Sequence, residues 1–252
     1  MKINSLVRYT IQCFLNDFLN EYGVLSYRSV STFLEKRLFD ELITDYKLPF
    51  WCHYGCSKMC LAFDDLDIIF KIPIITNYNM LDSKAASEFK RNVKVSNYST
   101  SIPKETDDLC AREVKYYNNA CNEGLEQLFC EEKLYTKYHG IPIYTQKRVY
   151  DFYEETDKKY RECDEGMIDF ISNALDERGF YEEAKWECFT NIFPFFEDII
   201  NRYGPIVFLK LLNFIMKNNI NDLHEGNVGY TIDDRPILVD YSGFVNSYNI
   251  ER

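Results

Sequence analysis

The alternation of apolar and polar positions changes its period along the chain. In residues 5–22 and 29–46 apolar side chains recur three and four positions apart, which predicts two amphipathic helices. Thr32 and Glu35 have the spacing of a capping box near the start of the second helix. We therefore expect the chain to begin with a helical segment.

The pattern then becomes that of short strands. The apolar-rich segments Lys58–Phe63 and Asp67–Ile74 are joined by a polar turn at residues 64–66, which predicts a strand hairpin. Residues 107–122 return to helical spacing, and residues 141–146 predict a further strand. The order of these segments indicates a mixed structure in which a helix follows the hairpin.

A strongly apolar helix is predicted to begin at Gly204-Pro205, since proline suits the first helical turn. Its apolar residues point in nearly every direction, which is typical of a buried helix. The region before it, residues 151–187, holds 13 acidic and 5 basic side chains and is expected to be a solvated helical face or a connection.

The amino-acid composition limits the classes of protein to which the chain can belong. The chain has 252 residues with 40 acidic and 29 basic side chains, a formal net charge of -11 and 46% hydrophobic residues. This is a globular composition of one large or two small domains, and it excludes disordered and low-complexity classes. The acidic balance argues against nucleic acid and against an anionic membrane as partners. A polyphosphate ligand would need local positive charge.

The nine cysteines and the N-terminus suggest a compartment. The cysteines are odd in number and scattered, so we expect reduced thiols. The N-terminus lacks a signal-peptide pattern, and no apolar run approaches 18 residues, so we expect a cytoplasmic protein without a membrane span. The alternative for the clustered cysteines is a metal site of Cys52, Cys56 and Cys60 with His53, although zinc sites usually need a second pair of ligands elsewhere.

The residues that most clearly indicate a catalytic or metal-binding role follow the apolar helix that is predicted to begin at Gly204-Pro205. Asp222 is followed five positions later by Asn227, and a short strand then leads to Asp240. A loop aspartate can accept a proton from an attacking hydroxyl. An asparagine oxygen and a carboxylate at a strand end can hold Mg²⁺, which prefers oxygen ligands. The structural alternative is an Asx turn beside a helix cap.

This segment resembles the catalytic loop and metal-binding aspartate of the protein kinase-like superfamily. The form Asp222-Leu-His224-Glu-Gly-Asn227 is closer to the loop of aminoglycoside and choline kinases than to that of ordinary eukaryotic protein kinases. The resemblance implies that Asp222 is the catalytic base, that Asn227 acts with it in the loop, and that Asn227 and Asp240 are the ligands of Mg²⁺. His224 lies in the same loop and either holds it by hydrogen bonds or is a surface residue.

The resemblance extends to the predicted hairpin and helix upstream. It implies that Lys71 contacts the α and β phosphates of ATP and that Glu113 in the following helix is its partner, with Glu105 and Glu123 as alternatives. The loop before the hairpin, which contains Gly55, Ser57 and Lys58, stands where a glycine-rich loop would cover the phosphates. It has one glycine, so Ser57 and Lys58 are expected to contact the nucleotide directly.

The fold implied by this resemblance is α+β and two-lobed, with a small antiparallel sheet in the first lobe and a reduced, mostly helical second lobe. Residues 1–50 would be a helical extension, 51–148 the first lobe and 149–252 a truncated second lobe. Twelve residues follow Asp240, so we expect no activation segment and no usual substrate platform. In this respect the chain resembles compact, truncated kinase-like proteins of bacteria and phages.

The expected function is therefore an ATP- and Mg²⁺-dependent phosphotransferase with a protein Ser/Thr or another hydroxyl as acceptor. One alternative is a nucleotide-binding pseudokinase or interaction module without transfer activity. Another is a small-molecule kinase of the aminoglycoside or choline type, and a third is a structural adaptor that binds no nucleotide.

Overall fold

The computed structural model describes residues 3–23, 25–37, 41–55, 57–74, 108–151, 163–180, 191–220 and 222–242. Its chain contacts divide it into two compact units. The first, here called the sheet unit, consists of Met1–Arg112 and Glu132–Lys147. The second, here called the helical unit, consists of Glu113–Glu131 and Arg148–Arg252.

The sheet unit is built on a six-stranded antiparallel sheet with strand order β1-β2-β3-β4-β6-β5. Its strands are β1 Leu42–Ile43, β2 Phe50–Tyr54, β3 Lys58–Ala62, β4 Ile68–Pro73, β5 Glu132–Tyr138 and β6 Ile141–Lys147. Two helices precede the sheet, α1 Ser5–Tyr22 and α2 Tyr27–Lys36. The predicted hairpin is β3 and β4, and the predicted strand at 141–146 is β6.

One face of the sheet and the two N-terminal helices share a single apolar core. Side chains alternate between the two faces of a strand, so Met59, Leu61, Phe70 and Ile72 all lie on this face. Phe14 of α1 meets them through an edge-to-face contact with Phe50, with ring centroids 5.2 Å apart. The helices thus belong to the core of the sheet.

The second predicted helix is shorter than its apolar pattern suggested. It begins at Ser26, whose side chain forms a capping box with Ser29, so Thr32 and Glu35 lie inside the helix. The predicted extent of 29–46 is wrong beyond Lys36, because residues Leu42–Ile43 pair as an edge strand with β2. A short apolar run fits either a helix or a strand, and here the pairing of Ile43 with Phe50 decides the outcome.

In the part of the chain that the structure describes, the helical unit contains most of α3 and three further helices. The helices are α3 Leu109–Glu123, α4 Glu165–Asp176, α5 Phe193–Tyr203 and α6 Pro205–Lys217. A small antiparallel sheet has the order β7-β8-β9, with strands β7 Tyr150–Asp151, β8 Val228–Tyr230 and β9 Pro236–Leu238. Its core is rich in rings, among them Phe129, Phe195, Phe196, Phe208, Phe214, Tyr230 and Tyr241.

The helix predicted at Gly204-Pro205 begins there, but its burial is incomplete. Phe208, Leu211 and Phe214 are buried, whereas Ile206 is 70% exposed and Met216 is 47% exposed. The two exposed residues stand near the two ends of the helix. No helix among the described residues is long and apolar enough to cross a membrane.

The described chain is therefore a mixed α/β structure with a six-stranded antiparallel sheet and six helices. This agrees with the expected α+β class. Residues 75–107 lie outside the described residues, as do residues 152–162 and 181–187 of the acidic region at 151–187.

Candidate functional site

The second face of the six-stranded sheet carries an unusual set of buried polar side chains. The strand register places on this face Lys58, Lys71, Glu132, Tyr144 and Gln146, and each of them is at most 5% exposed. Lysine and glutamate are almost never buried unless they are paired. The face opposite the apolar core is therefore the part of the sheet unit in which charged chemistry is concentrated.

Lys71 is paired with Glu132. The distance from Lys71 Nζ to Glu132 Oε2 is 3.0 Å, and the two side chains are 4% and 0% exposed. Neither oxygen of Glu132 takes part in a hydrogen bond with a described residue, so the contact is an ion pair without hydrogen-bond alignment. Glu132 is not among the site residues predicted from the sequence.

Glu113, the partner of Lys71 that the resemblance implies, is fully buried in α3. It belongs to the helical unit and Lys71 to the sheet unit, so their pairing stays a prediction. Of the two alternatives, Glu105 lies outside the described residues, and Glu123 forms a salt bridge of 2.6 Å with Lys217.

The start of α3 is fixed to the sheet by Asp108. Its Oδ1 accepts a hydrogen bond of 2.9 Å from the backbone N–H of Ala111, and its Oδ2 accepts one of 2.5 Å from the hydroxyl of Tyr144. Burial, followed by this hydrogen bond, raises the pKa of Tyr144 well above its usual value, so the hydroxyl remains a donor. Tyr144 is also the cross-strand neighbour of Lys71.

The β2–β3 turn holds the loop that was predicted to cover phosphates. The N–H of Gly55 donates to the carbonyl of Lys58 over 2.9 Å, and the carbonyl of Ser57 accepts from the N–H of Ile74 over 2.8 Å. A Cβ atom at Gly55 would meet nothing within 4 Å, and its φ is not in the left-handed region. The fold of the described residues therefore does not require glycine at this position.

Lys58 lies beside this turn and close to Lys71. Lys58 pairs across the strands with Pro73 and Cys60 pairs with Lys71, so the two lysines are diagonal neighbours on the same face. Diagonal neighbours in an antiparallel sheet have Cα atoms about 7–8 Å apart. The backbones of the two lysines are thus near neighbours, whereas the Lys71 ammonium lies at Glu132 on the other side of β4.

The alternative metal site of clustered cysteines does not form in the part of the chain that the structure describes. Cys52 is fully buried in the apolar core, and burial raises the pKa of its thiol to about 12. His53 and Cys60 pair with each other on the opposite face of the sheet, and Cys56 lies outside the described residues. No group of three His, Cys, Asp or Glu side chains able to hold a metal occurs among the described residues.

In the helical unit the loop from Asp222 to Asn227 precedes β8. The side-chain amide of Asn227 donates a hydrogen bond of 2.6 Å to the backbone carbonyl of Asp222, and Asn227 is buried. This bond uses the amide nitrogen inside the loop, so the amide oxygen is the atom that Asn227 can offer to a cation. The Asp222 side chain is 26% exposed.

His224 lies within the same loop and faces Asp222. Its Nδ1 accepts a hydrogen bond of 3.0 Å from the N–H of Gly226, so the neutral ring carries its proton on Nε2. Nε2 is 3.7 Å from Oδ1 of Asp222. This distance is longer than a hydrogen bond, so the contact by which His224 holds the loop is the one with the N–H of Gly226.

The register of β8 and β9 connects Asn227 through the backbone to Val239, the residue before Asp240. Val228 pairs with Leu238, and the N–H of Val239 donates to the carbonyl of Asn227 over 3.0 Å, so Asp240 is the next residue along. The hydroxyl of Ser242 donates to Oδ1 of Asp240 over 3.3 Å.

The fully buried Tyr241 secures the end of this segment. Its hydroxyl donates to the carbonyl of Cys130 over 2.7 Å, and its ring is in edge-to-face contact with Phe129. The chain is thus anchored immediately after Asp240. Gly243 lies outside the described residues.

An amide oxygen and a carboxylate fit a hard cation such as Mg²⁺. Two protein oxygens are enough for Mg²⁺, because this ion usually keeps several water ligands and completes its shell with substrate phosphates. The donor set of Asn227 and Asp240 is therefore chemically suited to Mg²⁺ and not to zinc, which prefers nitrogen and sulfur.

The sequence contained a signal that could have revealed β5 and with it Glu132. His139 and Gly140 both have positive φ angles, 49° and 82°, and they form a two-residue connection between Tyr138 and Ile141. Such turns join the strands of a hairpin, and the run before His139 is rich in Tyr and Thr.

Comparison of the chain with protein-family models, with curated proteins and with solved structures finds no match. The resemblance to kinase-like proteins therefore rests on the sequence motifs alone and stays a prediction.

Proposed function

We propose that this protein is an ATP- and Mg²⁺-dependent phosphotransferase of the protein kinase-like class, with a hydroxyl group as acceptor. The observation that carries the proposal is the arrangement of Asp222, Asn227 and Asp240. The Asn227 amide is bonded to the backbone of Asp222, and the N–H of Val239, the residue before Asp240, donates to the carbonyl of Asn227. Phosphoryl transfer needs this kind of fixed positioning and charge neutralisation.

Each residue has a separate role in this proposal. Asp222 orients the acceptor hydroxyl and accepts its proton, which suits a carboxylate that is partly exposed. Asn227 and Asp240 hold the cation, and Lys71 binds the nucleotide phosphates. The bound Mg²⁺ would neutralise charge on the phosphates.

The element order supports the same proposal at the level of the fold. The β3–β4 hairpin carries Lys71, α3 carries Glu113, and α6 precedes the Asp222 loop. This is the order on which the kinase-like resemblance was based. We propose on this ground a kinase-like fold with a reduced second lobe.

A thermal-shift experiment tests nucleotide binding. ATP at about 100 times its Kd should stabilise the wild-type chain by roughly 2.7 kcal/mol, and omission of Mg²⁺ should reduce the shift. Asp240→Asn should lose most of the Mg²⁺-dependent part. Asp233→Asn is the matched control, because Asp233 is an exposed carboxylate in the turn before β9 and pairs with Arg235. An absence of any shift in the wild type would refute both the phosphotransferase and the pseudokinase.

A transfer experiment separates the remaining functions. The chain is incubated with γ-labelled ATP and with casein-like proteins, with itself alone, or with small aminocyclitols. Label in one acceptor identifies its class, while binding without transfer to any of them favours the pseudokinase. Asp222→Ala should reduce transfer by about 100-fold or more and leave ATP binding unchanged. Transfer at the wild-type rate in Asp222→Ala would refute the assignment of Asp222 as the base.

A further inference from the structure

The Lys71–Glu132 pair spans three strands of the sheet. Lys71 lies on β4 and Glu132 on β5, and β6 runs between these two strands. Neighbouring strands are about 4.7–4.9 Å apart, so the two backbones are separated by about 9–10 Å across the sheet. The Lys71 side chain therefore crosses above β6 to reach Glu132, and the carboxylate determines where the ammonium lies.

The surroundings of the pair leave Glu132 incompletely satisfied. Its side chain is 0% exposed, and neither carboxylate oxygen takes part in a hydrogen bond with a described residue. Removing a carboxylate from water is costly unless it is both paired and hydrogen-bonded. A buried polar group without its full set of partners calls for an explanation, and a functional role is one of the recognised explanations.

We infer that Glu132 is the positioning residue for Lys71, and that it holds the ammonium on the second face of the sheet where it binds the phosphates of a nucleoside triphosphate. This inference rests on the proposed function and refines it. It gives Glu132, at the start of β5, the role that the kinase-like resemblance implies for Glu113 in α3.

The experiment compares the binding of MgATP and of adenosine to the full chain by calorimetry. Adenosine lacks the phosphates, so a residue that positions Lys71 for phosphate affects only the binding of ATP. Glu132→Gln should weaken MgATP at least 10-fold and change adenosine less than twofold. Glu131→Gln is the matched control, because it makes the same substitution at the preceding residue, which is exposed. Its affinity for both ligands should equal that of the wild type.

A double-mutant cycle tests whether Glu132 acts through Lys71. Lys71→Met should weaken MgATP at least as much as Glu132→Gln, and Lys71→Met/Glu132→Gln should be no weaker than Lys71→Met alone. If Glu132→Gln does not fold, Glu132→Asp carries the test, since it keeps the charge and shortens the side chain. It should then weaken MgATP selectively, by a smaller factor.

The outcomes distinguish this inference from the proposed function. If wild-type protein binds no MgATP, the proposed function is refuted and the inference with it. If wild-type protein binds MgATP and Glu132→Gln binds it equally well, only the inference is refuted. Equal weakening of ATP and adenosine would mean that Glu132 has a structural role alone, and this also refutes the inference.

Discussion

The side-chain amide of Asn227 donates a hydrogen bond of 2.6 Å to the backbone carbonyl of Asp222 and so closes the loop between them. Asn227→Asp should break this bond, because it replaces the donor by an oxygen that faces the carbonyl. An oxygen able to bind Mg²⁺ remains in the variant. We expect the free energy of unfolding to fall by about 1–3 kcal/mol, measured by urea denaturation.

Asn213→Asp is the control for this prediction. Asn213 accepts a hydrogen bond of 2.8 Å from Arg178 through its side-chain oxygen, which aspartate retains. Its stability should therefore stay close to that of the wild type. An Asn227→Asp protein as stable as the control would show that the amide does not hold the loop.

The candidate residues of this loop could be found from the sequence because their arrangement is local. Asp222 and Asn227 are five residues apart, and Asp240 follows a short turn and strand, so a loop and one hairpin connect all three along a short stretch of chain. The partner of Lys71 could not be found in this way, because it depends on the order of the strands in the sheet. Glu132 reaches Lys71 only through the order β4-β6-β5, in which sequence neighbours are not spatial neighbours.

The elements show the same contrast. The β3–β4 hairpin and α3 were predicted closely, since their apolar spacing is strong and their ends have turn or capping residues. The strand β5 was missed. Its buried residue is Glu132, while Leu134 is 49% exposed, so the usual correspondence between apolar character and burial is reversed there.

Tyr144 should contribute measurably to stability through its bond to Asp108. Tyr144→Phe removes the hydroxyl that donates to Oδ2 of Asp108. The buried carboxylate then accepts one hydrogen bond fewer. We expect a loss of about 1.5–3 kcal/mol in the free energy of unfolding. Tyr135→Phe is the control, since its ring packs on Phe70 and its hydroxyl has no hydrogen bond to a described residue. Equal stability of the two variants would contradict the prediction.

Cys52 should make the protein less stable as the pH rises above about 9. Burial raises the pKa of its thiol to about 12 in the folded chain, whereas an exposed thiol has a pKa near 9. Between these values the unfolded chain releases a proton that the folded chain retains. The unfolded state then binds fewer protons, so the free energy of unfolding falls with pH, by at most about 1.4 kcal/mol per pH unit.

The measurement for Cys52 compares the pH dependence of stability in wild type and Cys52→Ala between pH 8 and 10. The wild type should lose about 1 kcal/mol more than the variant over this interval. Parallel curves for the two proteins would show that the Cys52 thiol titrates alike in the folded and unfolded states.

Substitution by alanine should destabilise the protein at Gly229 but not at Gly55. Gly229 pairs with Asp151, and a Cβ atom there would lie 2.5 Å from the carbonyl oxygen of Tyr150. Because backbone atoms cannot move aside cheaply, Gly229→Ala should cost about 1–3 kcal/mol of stability. Gly55→Ala meets no atom within 4 Å and should leave the free energy of unfolding unchanged.

The Gly55 variant then separates stability from ligand binding. If the β2–β3 turn covers the phosphates of ATP, a methyl group at residue 55 obstructs the close approach of the ligand to the backbone. Gly55→Ala should therefore weaken MgATP several-fold in a protein of wild-type stability, with adenosine unaffected. Wild-type affinity for MgATP in Gly55→Ala would place the phosphates away from this turn, and Lys58 and Lys71 would then remain as the phosphate-binding groups of the sheet unit.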